Sequence, residues 1–502
     1  MIQAVNIVPL FVVVALGGAF IVSLLGKRIK AFPDIMGSLT TFVLFGLSLL
    51  AIRLVNVYDV LVYSVGAWKP PIGIAMVIDG FTSFMLVTVN LVAFLIAVYS
   101  ISYMRQFTSK WKFYTLFLLM VAGMNGVVIT GDIFNLFVFL EIASVASYAL
   151  VAFGTERHEL EAAFKYAVMG TVGSLFVLIG IVFLYGYTST LNMADMAMVF
   201  AQKPTSNLVL LVSVLFLMGF GLKAALVPFH AWLPDAHPSA PAPISAMLSG
   251  VLIKSLGVYA LCRIFYNVIG LHHNLSGILM FLGTLSMVIG VFLAIGQWDF
   301  KRLLAYHSIS QIGYVILGIG LGTPLGILGG LFHLFNHSIF KSLLFLNSGA
   351  VEYATGTRDL QKMGGLKERM PVTAGTNLIA SMSIAGIPPF NGFWSKLIII
   401  VAAVQAGFYG HAFWAVLASI MTLASFMKVT KYAFFGRLKD KLNNVKEVPF
   451  SMKLSMIVLA CICVAGGVLF FSAINQAFLQ KASGVLSGGL SYASEVLSAL
   501  QQ

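Results

Sequence analysis

Seven ionisable residues sit where almost every neighbour is apolar. Glu141 lies in NLFVFLEIASVASYALVAF, Lys223 in LMGFGLKAALVPFHAWLP and Lys254 in LSGVLIKSLGVYAL. His333, His337 and Lys341 share LFHLFNHSIFKSLLFL, and Lys396 follows the prolines of AGIPPFNGFWSKLIII. A charge at the centre of a bilayer costs about 2.5–3.5 kcal/mol, so four lysines cost on the order of 10 kcal/mol. That is comparable to the whole stability of a fold, and retention at such a cost points to function. Snorkelling excuses a lysine near a helix end, and Lys341, in the cytoplasmic third of its stretch, is open to that reading. Lys223 and Lys254 have apolar sequence on both sides and are not.

The chemistry this mixture suits is proton transfer. Desolvation favours the neutral form of a buried lysine and a nearby carboxylate favours the charged form. A carboxylate at Glu141 that moved relative to Lys223 would therefore make the lysine hold or release a proton; Ser144 and Tyr148 follow Glu141 on the same helical face. His333, His337 and Lys341 recur every four residues and line one face. Imidazole titrates near neutrality and can accept on one nitrogen while donating from the other, which suits a relay. Two other readings of the histidines remain open: hydrogen-bonded glue between helices, and a zinc pair, for which no acidic or cysteine partner lies nearby. Cys262, Cys461 and Cys463 fall in apolar stretches without ligand spacing. No metal or other cofactor is expected.

These residues need a membrane around them. Of 502 residues, 60% are hydrophobic and 9% charged, with mean hydropathy +0.98, against about 45–50% apolar and 25% charged in soluble domains. The N-terminus lacks the basic region of a signal peptide and reads as an uncleaved first span. The expected fold is all-α and polytopic, with about fourteen spans of roughly 20 residues each. They are placed at 5–25, 36–55, 79–103, 113–130, 132–153, 161–187 and 207–228, then at 243–268, 274–296, 303–322, 325–350, 372–404, 411–435 and 453–477. Twenty-one of the 30 basic residues fall at odd-to-even connections. Only Arg53, Lys69, Lys203, Arg263 and Lys481 fall opposite, and the four lysines above lie within spans. The positive-inside rule then puts both termini outside a cell or inner membrane. The net charge of +13 reflects this lopsided surface and not nucleic-acid binding. The tail from Gln480 to Gln502 is mildly amphipathic and polar enough for the membrane interface.

Pro228 and Pro234 should break the seventh span after Lys223, and Pro388 and Pro389 the twelfth before Lys396. Helices broken at membrane depth line a cavity or are buried, and they mark transport sites. The chain divides into residues 1–112, a five-helix unit at 113–268, a second at 274–435 and a final part at 453–502. Each unit carries its broken, lysine-bearing span fourth, and five being odd, the two are inverted repeats. The lysine precedes the break in the first unit and follows it in the second.

At these residues the chain resembles the antiporter-like subunits shared by respiratory complex I, Mrp-type sodium/proton antiporters and membrane-bound hydrogenases. The resemblance rests on TGDIFNLFVFLEIASVASYAL, KAALVPFHAWLPDAHPSAPAPISAMLSGVLIKSLGVYAL, KRLLAYHSISQIGY, FNHSIFKSLLFLNSGAV and AGIPPFNGFWSK. It implies a fifth-helix glutamate at Glu141, the broken-helix lysine at Lys223, a connecting lysine at Lys254, eleventh-helix histidines at His333 and His337 and a terminal lysine at Lys396. It further implies proton or Na+/H+ translocation, no redox centre in this chain, and partners among the membrane subunits of a larger complex. Asp235 and His237, in LPDAHP, belong to the signature and read as helix-end and channel-entrance residues in or near a loop. The chain lacks the long lateral C-terminal helix of the largest complex I member and the large extension of the Mrp A type. With lysine at 396, it leans to the Mrp D type or its hydrogenase counterpart. Three other functions are weighed: a membrane subunit taking part in quinone- or hydrogenase-linked electron transfer, which would need a cofactor motif not found here; a solute carrier, which would keep one central site; and a purely structural subunit, which the buried charges disfavour.

Overall fold

The computed structural model describes residues 2–202, 207–469 and 475–501. Lys203 and residues 470–474 of the last expected span lie outside that set. The first helices are α1 (Leu10–Leu25) and α2 (Phe32–Tyr58). A hairpin follows, β1 (Leu61–Ser64) antiparallel to β2 (Ala75–Ile78), with Leu61 opposite Ile78. This small sheet occupies a stretch that reads only as a connection in the sequence. Next come α3 (Gly80–Tyr103), α4 (Lys110–Ile129), α5 (Ile133–Val151), α6 (Arg157–Thr188) and the short α7 (Met193–Gln202). Side chains set several of the starts. Asp79 accepts from Thr82 N at 2.8 Å and Asp132 from Asn135 N at 2.7 Å, while Glu156 and Glu159 form a reciprocal capping box, each satisfying amides that a helix start leaves free.

The seventh expected span is broken, as its prolines require. Its regular helix, α8 (Asn207–Lys223), ends five residues before the expected bound at 228, and a separate short helix, α9 (Leu233–Ser239), follows beyond the span. Behind it run α10 (Ala242–Val268), α11 (His273–Ile295), α12 (Phe300–Gly320) and α13 (Pro324–Thr355). The twelfth span is broken too, into α14 (Pro371–Ala385) and α15 (Asn391–Gln405). Then come α16 (Tyr409–Val429) and α17 (Phe450–Leu469), with α18 (Lys481–Ser487) and α19 (Ser491–Gln501) in the tail. Each of the fourteen expected stretches holds a helix or a broken pair. Among the described residues, ten helices are long and apolar enough to cross a membrane.

The centre of the bundle is α3, α10, α12 and α13, and α10 is buried along its whole length. Outer helices turn large apolar side chains outwards, among them Leu24, Phe164, Val182 and Ile420, the surface a bilayer solvates. α10 is not a regular helix: wide π turns run over Leu248–Leu252, Lys254–Tyr259 and Arg263–Val268. Such turns are rare and concentrate at functional sites. Where α10 passes the end of α8 the backbones nearly touch. A Cβ on Gly257 would lie 2.5 Å from Ala224 N, so only glycine fits there.

Arg263, counted by the sequence reading on the side opposite the basic face, is buried. Its guanidinium forks onto Asp79 at 2.8 and 2.9 Å and also donates to Thr82 at 3.1 Å. The C-terminal tail closes over this pair. Asn267 donates to the carbonyls of Val485 and Gly489, both at 2.9 Å, and the Tyr492 ring lies 4.8 Å from the guanidinium. Removing one partner of such a pair strands the other, so Asp79→Leu should destabilise the protein by about 3–5 kcal/mol. The double variant Asp79→Leu/Arg263→Met should recover most of that; thermal unfolding in detergent measures both.

Candidate ion-relay site

The two helix breaks position the outer lysines, because backbone groups freed at membrane depth must find partners inside the protein. At the first break the carbonyl of Leu222 accepts from the Trp232 indole at 3.0 Å, and the amide of Val227 donates to Ser286 at 2.9 Å. Lys223, the last residue of α8, is thus free of backbone duty. Its ammonium donates to Ser144 at 3.0 Å and to Tyr148 at 3.4 Å, and lies 3.7 Å from the Glu141 carboxylate. Glu141 in turn accepts a hydrogen bond from Ser174. The face of α5 expected to carry Glu141, Ser144 and Tyr148 therefore does meet Lys223.

At the second break Gly386 turns left-handed, φ +78°. Here the lysine itself satisfies the backbone. Lys396 donates to the freed carbonyl of Ile384 at 2.7 Å and to Ser419 at 3.3 Å, while Ser419 donates to the carbonyl of Ala385 at 2.7 Å. The ammonium also sits 4.6 Å from the Tyr314 ring and borders a cavity of about 240 Å³ between α15 and α16.

Between the breaks lies a central group. Lys254 is fully buried in the π turns of α10, and its ammonium donates to the carbonyls of Ser249 and Gly250, both at 2.6 Å. Gly250 packs tightly against Ser342 of α13, one residue beyond Lys341. Lys341 is also fully buried, so it does not snorkel to the surface; its ammonium faces the Phe345 ring at 5.6 Å and has no hydrogen-bond partner among the described residues. Neither nitrogen of His337 has a hydrogen-bond partner among them, and its ring stacks on His333 with centroids 6.3 Å apart. His333 bonds Ser395 at 2.9 Å and Gln311 at 3.2 Å. The Tyr314 ring, 5.4 Å from His333, separates it from Lys396.

The expected residues thus form three groups: Glu141 with Lys223, Lys254 with Lys341 and His337, and His333 with Lys396 across Tyr314. Some buried polar residues escape the sequence reading. His307, in the quoted KRLLAYHSISQIGY string, hydrogen-bonds Ser425 at 2.8 Å in the interior; its apolar flanks are the signal that marks it. His237 is fully buried, not on a loop. Pro234 falls at the start of α9, where a missing amide costs nothing, so LPDAHP is helical. Asp235 does lie at the surface, 3.2 Å from Lys165 and 3.6 Å from Arg302.

A family model described as NADH:quinone oxidoreductase/Mrp antiporter, transmembrane, matches residues 130–422, and one for the N-terminus of chain 5 of complex I matches residues 67–114. The D-type subunit of the Na(+)/H(+) antiporter of Alkalihalophilus pseudofirmus is 36% identical over 89% of this chain and 91% of its own length. The N-type subunit of the NADH-quinone oxidoreductase of Desulforudis audaxviator is 37% identical over 84% and 86%. Among solved structures, a chain of the Mrp complex from Dietzia superposes with a TM-score of 0.91 at 27% identity over 100% of both chains. A chain of the archaeal membrane-bound sulfane sulfur reductase gives 0.89 at 33% over 97% and 99%.

The indole of Trp232 helps to relieve the carbonyl beside Lys223. Trp232→Phe keeps the ring and deletes this donor. Because the Ala225 amide also donates to that carbonyl at 3.1 Å, the change should lower stability by only about 0.5–1.5 kcal/mol, the net worth of one hydrogen bond. An unchanged thermal midpoint would mean that the Ala225 amide alone satisfies that carbonyl.

Proposed function

The chain belongs to the NADH:quinone oxidoreductase/Mrp antiporter family, and from that premise we propose that it is the ion-translocating module of a multisubunit membrane complex, moving protons, or protons against sodium, along its buried lysines, glutamate and histidines. The observation that carries this is the contact of Glu141 with Lys223 at the end of a broken helix. Ser144 and Tyr148 offer the ammonium alternative acceptors, so a small shift of α5 or α8 changes its distance to the carboxylate. A change in that distance moves the balance between the charged and neutral lysine. Each lysine that gains or loses its proton alters the field at the next group. The charge then passes from Glu141 and Lys223 through Lys254, Lys341 and the histidine pair to Lys396.

In this reading all fourteen stretches cross the membrane, both termini lie outside and the basic face is cytoplasmic. Residues 113–268 and 274–435 act as inverted halves, each with its lysine at a break, flanked by 1–112 and 453–502. Similarity to a subunit of a quinone oxidoreductase and to a sulfane sulfur reductase chain supports a second reading of the setting. In it the same file works in a redox-driven complex, and the electron chemistry belongs to other subunits.

Lys223→Ala, tested in the assembled complex in everted vesicles, should cut ion exchange by roughly 10²-fold or more, the scale of a lost proton-transfer group, with the subunit still incorporated. Glu141→Gln should reduce exchange less, because the lysine remains. Full exchange by the lysine variant would sink the proposal. Repeating the measurement with and without sodium tells the two ions apart.

A further inference from the structure

A polar cavity of about 430 Å³ opens on the basic-rich face, where the start of α12 and the end of α13 meet the α9–α10 junction. Lys301 and Glu352 stand in its wall, 3.0 Å apart, and Lys301 is only 2% exposed. Arg358 holds the same carboxylate from the surface side at 3.7 Å. Lys301 also donates to the carbonyl of Ala240 at 3.1 Å, and Ser239, Ala240 and Pro241 line the cavity. Two residues before Ser239 stands His237. It is fully buried between Trp232 and Phe345, with centroids 6.4 and 5.3 Å away. Neither of its ring nitrogens has a hydrogen-bond partner among the described residues, and it lies within electrostatic range of both Lys341 and Lys254. Along α13, Glu352, Ser348, Phe345 and Lys341 follow at helical spacing on one face, and the Ser348 hydroxyl is likewise buried without a partner.

The Lys301 side chain is buried and that of Glu352 is 29% exposed. Neither a buried nor a surface ion pair adds much to stability, so stability gives no reason for one at this spot. Access to the interior does. We infer that the Lys301–Glu352 pair is an entry for protons that feeds the central lysines through His237, separately from the Glu141–Lys223 contact. A proton from the cavity neutralises the Glu352 carboxylate and passes to one nitrogen of His237. The imidazole releases its other proton to the amine of Lys341 or Lys254, which becomes an ammonium, and Glu352 is again a carboxylate. The ring ends neutral, as it began. Lys301 holds the carboxylate toward the cavity until the proton arrives.

This inference rests on the translocation reading, and the test separates the two. The double variant Lys301→Met/Glu352→Leu keeps the volume and removes the charges, so a merely structural pair would leave transport intact. In everted vesicles the complex should still assemble and should lose most of its ion exchange. Retained exchange overturns the entry, and if Lys223→Ala is inactive in the same assay, the wider reading stands without it. Should the double variant fail to assemble, Ser239→Cys decides, in a chain whose three native cysteines are replaced by alanine. A membrane-impermeant, positively charged thiol reagent added to everted vesicles should label it and block exchange. No labelling, or labelling with full exchange, overturns the entry.

Discussion

A peptide group that leaves a helix at membrane depth has no water to bond, and this molecule has two places where it must solve that problem. At the first, neutral side chains do the work: the Trp232 indole takes the Leu222 carbonyl and Ser286 takes the Val227 amide. At the second, the cation itself takes the carbonyl of Ile384. The helix break and the buried charge are therefore one arrangement, since the negative end of a half-helix is a favourable seat for an ammonium. The difference between the breaks has a consequence. Lys396 is tied to backbone, whereas Lys223 touches only side chains of α5 and can answer to Glu141.

Lys254 meets the same requirement without a break. The π turns of α10 present the carbonyls of Ser249 and Gly250 to one ammonium, so a charge is accommodated inside a continuous, wholly buried helix. Farther along α10, Arg263 shows the opposite treatment. A forked carboxylate, a hydroxyl and three aromatic rings surround it, and it is fixed. Partners thus sort the buried charges. Arg263 is saturated, whereas Lys341, His337 and His237 have side-chain nitrogens without a hydrogen-bond partner among the described residues.

The broad architecture was legible because apolar runs, prolines and basic connections each report a physical requirement of the bilayer. The charges were legible for the same reason, since Lys223, Lys254 and Lys396 stand in sequence that no aqueous surface would tolerate. Residues near span ends were harder. Lys301 and Arg263 sit beside polar connections, so nothing local distinguishes them from solvated surface, and only the packing of α12 against the α9–α10 junction and of the tail against α10 buries them. His237 was hidden by the prolines around it, which suggest a loop yet allow a helix to start. The wide turns of α10 carry no residue signal; two of them lie where Gly250 and Gly257 pack closely against Ser342 and Ala224.

The ends of the file bear on why a chain of this family works within a complex. Glu141 is not sealed: its side chain is 31% exposed on a face of α5 where Phe134, Val138 and Val145 also point outwards. A carboxylate beside hydrocarbon carries the same kind of cost as the lysines, and covering it with a neighbouring membrane subunit removes that cost. The relatives are subunits of multisubunit assemblies, in which such a neighbour is at hand. At the other end, Lys396 and Ser419 border a cavity between the outer helices α15 and α16. The central lysines and histidines, by contrast, are enclosed on every side. The two ends of the file thus lie near the edge of the subunit, where neighbouring chains of a complex can reach them, while its middle is enclosed.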